Sequence, residues 1–232
     1  MTTKEFILDE QTIIKVSKRS SSRKIRLTID PSSGQVKVSI PRWVPYKAAV
    51  DFAKSKKAWI DAQRPVAKVL EEGRQIGKNH RLIFRITDKS QQVTTRLNEL
   101  EAIVFYPPIL TSSDEAVQTA AKKVAKRALS LQANNLLPIR LKQLAEKYGY
   151  SYNQLTIKSL KTRWGSCDSH KNIALSLYLM QLPWELIDYV IVHELNHTEY
   201  MHHGPLFWQN MEAKLPKVKE LRKQLKTYKS TI

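Results

Sequence analysis

The segment PWELIDYVIVHELNH, residues 183–197, constrains the chain more than any other. Pro183 suits the first turn of a helix, where its missing N–H leaves nothing unsatisfied. Leu186, Ile187, Val190 and Ile191 then recur at the spacing of a buried helical stripe. A helix packed along that stripe carries His193 and His197 into the interior or the wall of a cleft. Four residues apart, they stack on one face with their ring nitrogens aimed at a common point. Buried imidazoles without partners cost free energy, and a metal ion is the simplest partner for two that converge.

Zn²⁺ takes neutral nitrogen ligands at about 2.0–2.1 Å and imposes no geometry of its own, so His193 and His197 make half of a tetrahedral shell. Glu194, rotated by about 100° from His193, lies beside such an ion rather than on it, which suits a general base. A catalytic site needs a third protein ligand and an open position. His203 is too far along a continuous helix to join, so the chain has to turn after about Glu199 to Met201, with Gly204 and Pro205 available to stop the helix. The spacing from His193 to His203 matches H-E-x-x-H-x-x-G-x-x-H, with Tyr200 where that pattern has glycine. His202, Glu212 and Glu220 are the other candidates for third ligand.

Upstream of residue 112 the chain reads as strands. QTIIKVSKRS, KIRLTID and QVKVSIP alternate apolar and polar residues around the turn material SSSR and PSSG. YKAAVDFAKSKKAWIDAQ follows with Ala48, Phe52, Ala53, Trp59 and Ile60 at roughly helical spacing, and EEGRQIGKNH is a loop leading to the strands HRLIFRITD and EAIVFY. From the caps Ser113 and Asp114 the pattern turns helical through ANNLL, repeats in IRLKQLAEKYG and ends at Gly149. The expected fold is α+β: a strand-rich region over 1–112 with antiparallel sheet, and a helix-rich domain over 113–232 carrying the H-E-x-x-H helix.

No run approaches the roughly 18 apolar residues of a membrane span, and the first residues lack the apolar core of an export signal, so the expectation is a cytoplasmic protein without membrane insertion. Cys167 is the only cysteine, which rules out an internal disulfide framework. The net charge of +18 and pI near 9.9 attract polyanions, making DNA or another polyanion a possible partner.

The stretch KTRWGSCDSHKNIALSLYLMQLPWELIDYVIVHELNHTEYMHHGPLFW resembles the core of the YgjP-like metallopeptidases, relatives of the SprT-type proteases. That pattern runs T-R-W-G-S-C, an apolar segment, P-x-x-x-x-D-Y-V, H-E-L-x-H and N-H-S-x-x-F-W. The strand-rich N-terminus, with SKRSSSRKIRLTID and W-V-P, resembles the family more loosely. The resemblance implies a zincin-type C-terminal half, a Zn²⁺ cofactor on His193, His197 and His203, Glu194 as the catalytic acid and base, and a polypeptide substrate. The chain departs from the pattern at His202, Gly204 and Ser176, where the family has asparagine, serine and asparagine; none of these removes a ligand.

Arg163 and Trp164 form either a wall of the cleft or a packed loop with Arg163 in an ion pair, and the packed loop is the expectation, with Trp164 and Cys167 as core. Phe207 and Trp208 read as packing that anchors the returning loop. The leading functional reading is a zinc peptidase. The alternative is a basic nucleic-acid-binding module with a structural or vestigial metal site.

Overall fold

The computed structural model describes residues 2–9, 12–30, 34–63 and 69–231, so Pro31, Ser32 and Ser33 of the PSSG turn lie outside the described residues. The chain divides into two compact units, residues 1–68 and 69–232. In the first, β1 (Thr2–Asp9), β2 (Thr12–Arg19), β3 (Arg26–Ile29) and β4 (Val36–Pro41) form one sheet in the order β1-β2-β4-β3. Period-two alternation decides its faces: Ile14 and Val16 of β2 and Val36, Val38 and Ile40 of β4 are fully buried, while Ile13 and Arg19 are exposed on the other face. The buried face meets Ala49 and Ala53 of α1 (Tyr46–Ser55) and Ile60 of α2 (Lys57–Gln63). The two helices separate at Lys56, yet Ala49, Ala53 and Ile60 keep one helical stripe across the break; Ala49 rather than Ala48 is buried, and Trp59 is half exposed.

The second unit opens with β5 (Gln75–Ile76), β6 (His80–Ile86), β7 (Thr94–Leu97) and β8 (Glu101–Tyr106), in the order β5-β6-β8-β7. This repeats the topology of β1 to β4. In each sheet a parallel central pair, β2 with β4 or β6 with β8, is flanked by an antiparallel strand on either side. Only the pattern of pairing is shared, which is why no repeat shows in the residues.

A 34-residue helix, α3 (Glu115–Tyr148), covers this sheet and continues through Pro138. Leu137 and Leu141, buried on either side of the proline, hold the two halves in line by packing. Asp114 occupies the N-cap position, but its carboxylate accepts from the Thr111 N–H and hydroxyl instead of a helix N–H. Gly149 ends α3 in the left-handed conformation at φ 72°. Two buried glutamines on α3 fix the strand layer: Gln118 bonds the main chain of Leu70 and Ser112, and Gln132 bonds that of Ile76 and Lys78 and the ring of His80. His80 also bonds Asn98 O, so both its nitrogens are satisfied and its role is structural.

The change from strands to helix near residue 112 therefore falls inside one compact unit. Leu82, Phe84, Ala102 and Val104 of the sheet share a core with Val117, Ala121 and Val124 of α3 and could not be buried without it.

A second sheet, β9 (Gln154–Lys158), β10 (Gly165–Cys167) and β11 (Asn172–Ser176), has the order β10-β11-β9 and leaves β10 at its edge. The segment NIALSLYLM divides between β11 and a 3₁₀ turn over Leu177–Gln181, where the Ser176 hydroxyl accepts from Tyr178 N. Three helices complete the unit: α4 (Trp184–Asn196), α5 (Pro205–Lys214) and α6 (Val218–Leu225). The fold is α+β, strand-rich in its N-terminal half and helical in its C-terminal half. No described helix is long and apolar enough to cross a membrane.

Candidate metal centre

α4 starts at Pro183 and buries Leu186, Ile187, Val190 and Ile191, as its sequence predicts, so its last turn is held firmly in the core. His193 lies in that turn and His197 caps it with φ −67° and ψ −15°. One further turn closes with Tyr200 N bonded to Asn196 O at 2.9 Å, after which the chain reverses into α5 with Gly204 as N-cap and Pro205 in its first turn. The reversal brings His203 back over α4. Its Nε2 stands 3.0 Å from His193 Nε2, and one nitrogen from each of His193, His197 and His203 lies within 4.8 Å of the others. His202 is exposed and outside this cluster, and Glu212 pairs instead with Lys219 at 3.1 Å. Glu220 likewise stands outside it.

The donor set fits a divalent cation. Two nitrogen lone pairs 3.0 Å apart repel unless a proton or a cation lies between them. Nitrogens that share one tetrahedral ion stand about 3.3 Å apart. Burial pushes the pKa of His193 down to about 3, with the charges of His197, His203 and Arg222 acting in the same direction. Burial lowers those of His197 and His203 as well, so the rings favour the neutral form that a metal requires. His197 Nδ1 stands 3.0 Å from Tyr200 O; a proton held there leaves Nε2 free as a donor to metal. His193 Nδ1 is buried without a hydrogen-bond partner among the described residues.

The shell around the three rings is aromatic. Phe207, fully buried, touches all of them at centroid distances of 4.7–5.0 Å. Trp208 stacks on His203 at 5.7 Å and donates its indole N–H to His203 O at 3.1 Å, so the pair anchors the returning loop. Asn196, fully buried, ties the end of α4 to its neighbours: its Nδ2 donates to Phe207 O, and its Oδ1 accepts from Tyr150 O–H and Asn210 Nδ2. Its position inside the H-E-L-N-H run gave no sign of that role.

Glu194 is 6% exposed, and burial raises its pKa to about 8, opposed by the positive charge of Arg163. Its nearest wall is the main chain of Gly165 in β10, where a Cβ would fall 2.6 Å from Glu194 Cγ and 2.7 Å from Oε1. The glycine of TRWGSC is thus a fitting for Glu194, a role sequence reasoning missed by attending to Arg163 and Trp164. Trp164 packs against the core, as expected. Arg163 is exposed and makes no ion pair among the described residues. Cys167 is half-buried, with its thiol pushed up to about 11 by burial and by Glu194 and Asp168, which favours the protonated form. Arg222 of α6 was also missed. Its guanidinium lies 4.6 Å over the Trp208 ring, and its charge reaches both His193 and His203.

A family model described as YgjP-like, metallopeptidase domain, matches residues 23–228. The chain belongs to the YgjP-like metallopeptidases. Among solved structures it is similar to the metallopeptidase zymogen abylysin of Pyrococcus abyssi, at 24% identity over 40% of this chain and 93% of that one, with a TM-score of 0.36. Comparison with curated proteins gives no match. The YgjP-like match reaches into both compact units, so the family's extent includes β3, β4 and the helices of the first unit as well as the histidine cluster.

In this YgjP-like chain Gly165→Ala is expected to fold yet to lose roughly ten- to a hundredfold in peptidase kcat/KM. The new methyl displaces Glu194 from its wall, and on the general-base role proposed for Glu194 below a small misplacement costs about that much. Kinetics alongside a thermal melt check this; unchanged kcat/KM would mean that Glu194 needs no such fit.

Proposed function

We propose that the chain hydrolyses peptide bonds with a zinc ion held by His193, His197 and His203 and with Glu194 as general base. The observation that carries this reading is the convergence of three neutral-favouring imidazoles beside one buried carboxyl group seated on a glycine. Zinc bound there would lower the pKa of a coordinated water towards about 7 and polarise the scissile carbonyl. Glu194 accepts the proton of the attacking water and passes it to the departing amine, which leaves as a neutral group. A purely structural metal site would have no need of that carboxyl group, and its burial would be an uncompensated cost.

The substrate has a natural place to lie. Trp164 O accepts from Ser176 N, and Asp168 N donates to Asn172 O, so residues 164, 166 and 168 pair with β11. By alternation the main-chain groups of Gly165 and Cys167 point to the open edge of the sheet, beside Glu194. An extended polypeptide added at that edge would present its carbonyls towards the carboxyl group. Arg222, without an acidic partner among the described residues, is the cation best placed to stabilise negative charge that develops near His203.

Elemental analysis of the purified protein, paired with casein hydrolysis, tests the reading. About one zinc per chain is expected, with hydrolysis falling at least about a hundredfold on chelation and returning with stoichiometric zinc. A chain that takes up no metal, or cleaves casein equally well with chelator present, would overturn it.

A further inference from the structure

Residues 1–68 hold 15 Lys and Arg against 6 Asp and Glu, a surplus of nine, which is half of the chain's +18 in less than a third of its length. Much of that surplus gathers at one end of the first sheet. On the face away from α1 and α2, the register sets Lys15 beside Lys37 and Ser17 beside Ser39, with Arg26 next to Ser39. Lys15 and Lys37 are neutralised by Glu5 and Asp30 at 2.9 and 3.0 Å. Past them, where β2 ends and β3 begins, Arg19, Arg23, Lys24 and Arg26 enclose a cavity of about 320 Å³ together with serine hydroxyls, Ser22 and Ser39 among them. None of these four cations meets an acidic partner among the described residues.

Four like charges around one concavity repel one another, and an anion that enters relieves the repulsion. Guanidinium, ammonium and hydroxyl donors together suit phosphate oxygens, and four cations exceed what one phosphate needs. The lining also narrows the partner. It has no aromatic ring on which an unpaired base could stack, as single-strand binders use, and no apolar side chain to enter a bilayer. We propose that this cavity and the adjoining end of the sheet bind the phosphodiester backbone of a nucleic-acid duplex without reading its sequence. The assignment is independent of the peptidase reading, since it uses none of the residues around His193.

Anisotropy of a labelled DNA duplex of about 20 base pairs, titrated with the full-length protein between about 50 and 200 mM salt, tests the proposal. Binding is expected to weaken steeply with salt. Arg19→Gln, Arg23→Gln, Lys24→Gln and Arg26→Gln combined should weaken it at least tenfold and make the log–log salt slope shallower by up to about 3.6, at roughly 0.9 for each of four lost phosphate contacts. The four side chains are exposed, and a circular dichroism melt verifies that the variant is folded. The control variant removes the same charge from α3, at Lys122, Lys123, Lys126 and Arg127, and should bind nearly as the parent does. No retention of duplex at low salt, or equal loss in the control, overturns the proposal. So does tighter binding of the single strand, or of phosphatidylserine vesicles, than of the duplex.

Discussion

Glu194→Gln should lower kcat for peptide hydrolysis by about 10²- to 10⁴-fold, the usual contribution of a general base, while the protein keeps its metal. Glutamine has the shape of glutamate, so the contact with Gly165 and the packing of α4 survive. What it lacks is a basic oxygen. The same substitution should alter the pH dependence of stability in the metal-free protein. Burial raises the Glu194 pKa from 4.5 to about 8, so the folded state holds this proton more tightly than the unfolded state does. A raised pKa contributes stability that is complete below about 4.5 and is lost as pH climbs through about 8. Urea unfolding of the metal-free protein at acid and alkaline pH should therefore show the parent losing more stability than Glu194→Gln across that window. Unaltered hydrolysis in the variant would remove Glu194 from the chemistry.

How much of this was legible in the residues differs from element to element. α4 announced itself because its apolar stripe has one period and one partner face, and Pro183 and the H-E-x-x-H spacing place its ends. The strands of the first sheet were readable where one face is buried, as in β2 and β4, and unreadable in β1, whose buried face is weaker. What sequence could not show is contact between residues far apart. Gly165 and Glu194 are brought together only by the packing of β10 on α4, and Asn196 joins Tyr150 and Asn210 across three segments. The unit boundary at 68/69 was hidden for a related reason: the composition changes where α3 begins, yet α3 and the strands before it bury each other. In α1 and α2 the period places Ala53 and Ile60 on the buried face, but it does not separate Ala48 from Ala49, because adjacent alanines fit that period about equally well.

The choice between His203 and His202 as third ligand is the point on which neighbouring residues compete, and the expected result is decisive. His203→Ala should lower zinc affinity by about 10²- to 10³-fold, since complete four-ligand sites are worth about 10–16 kcal/mol and one ligand accounts for roughly a quarter. After dialysis against a weak chelator the variant should be nearly metal-free and without hydrolysis. His202→Ala should keep zinc and most of its activity, because that ring stands apart from the other three. The geometry behind this asymmetry is the loop's own anchoring. Trp208 holds His203 O and stacks on its ring, Phe207 fills the space beneath, and Asn196 fixes Phe207 O, so the backbone at His203 is set from both sides. His202 O accepts only from Gly204 N inside the same loop, at 2.7 Å, and no ring contact to the His202 side chain occurs among the described residues. If His202→Ala emptied the site while His203→Ala left it loaded, the loop would have to turn by a residue on binding metal, breaking the Trp208 bond. Indole fluorescence of Trp208, compared between metal-free and zinc-loaded protein, would detect that rearrangement.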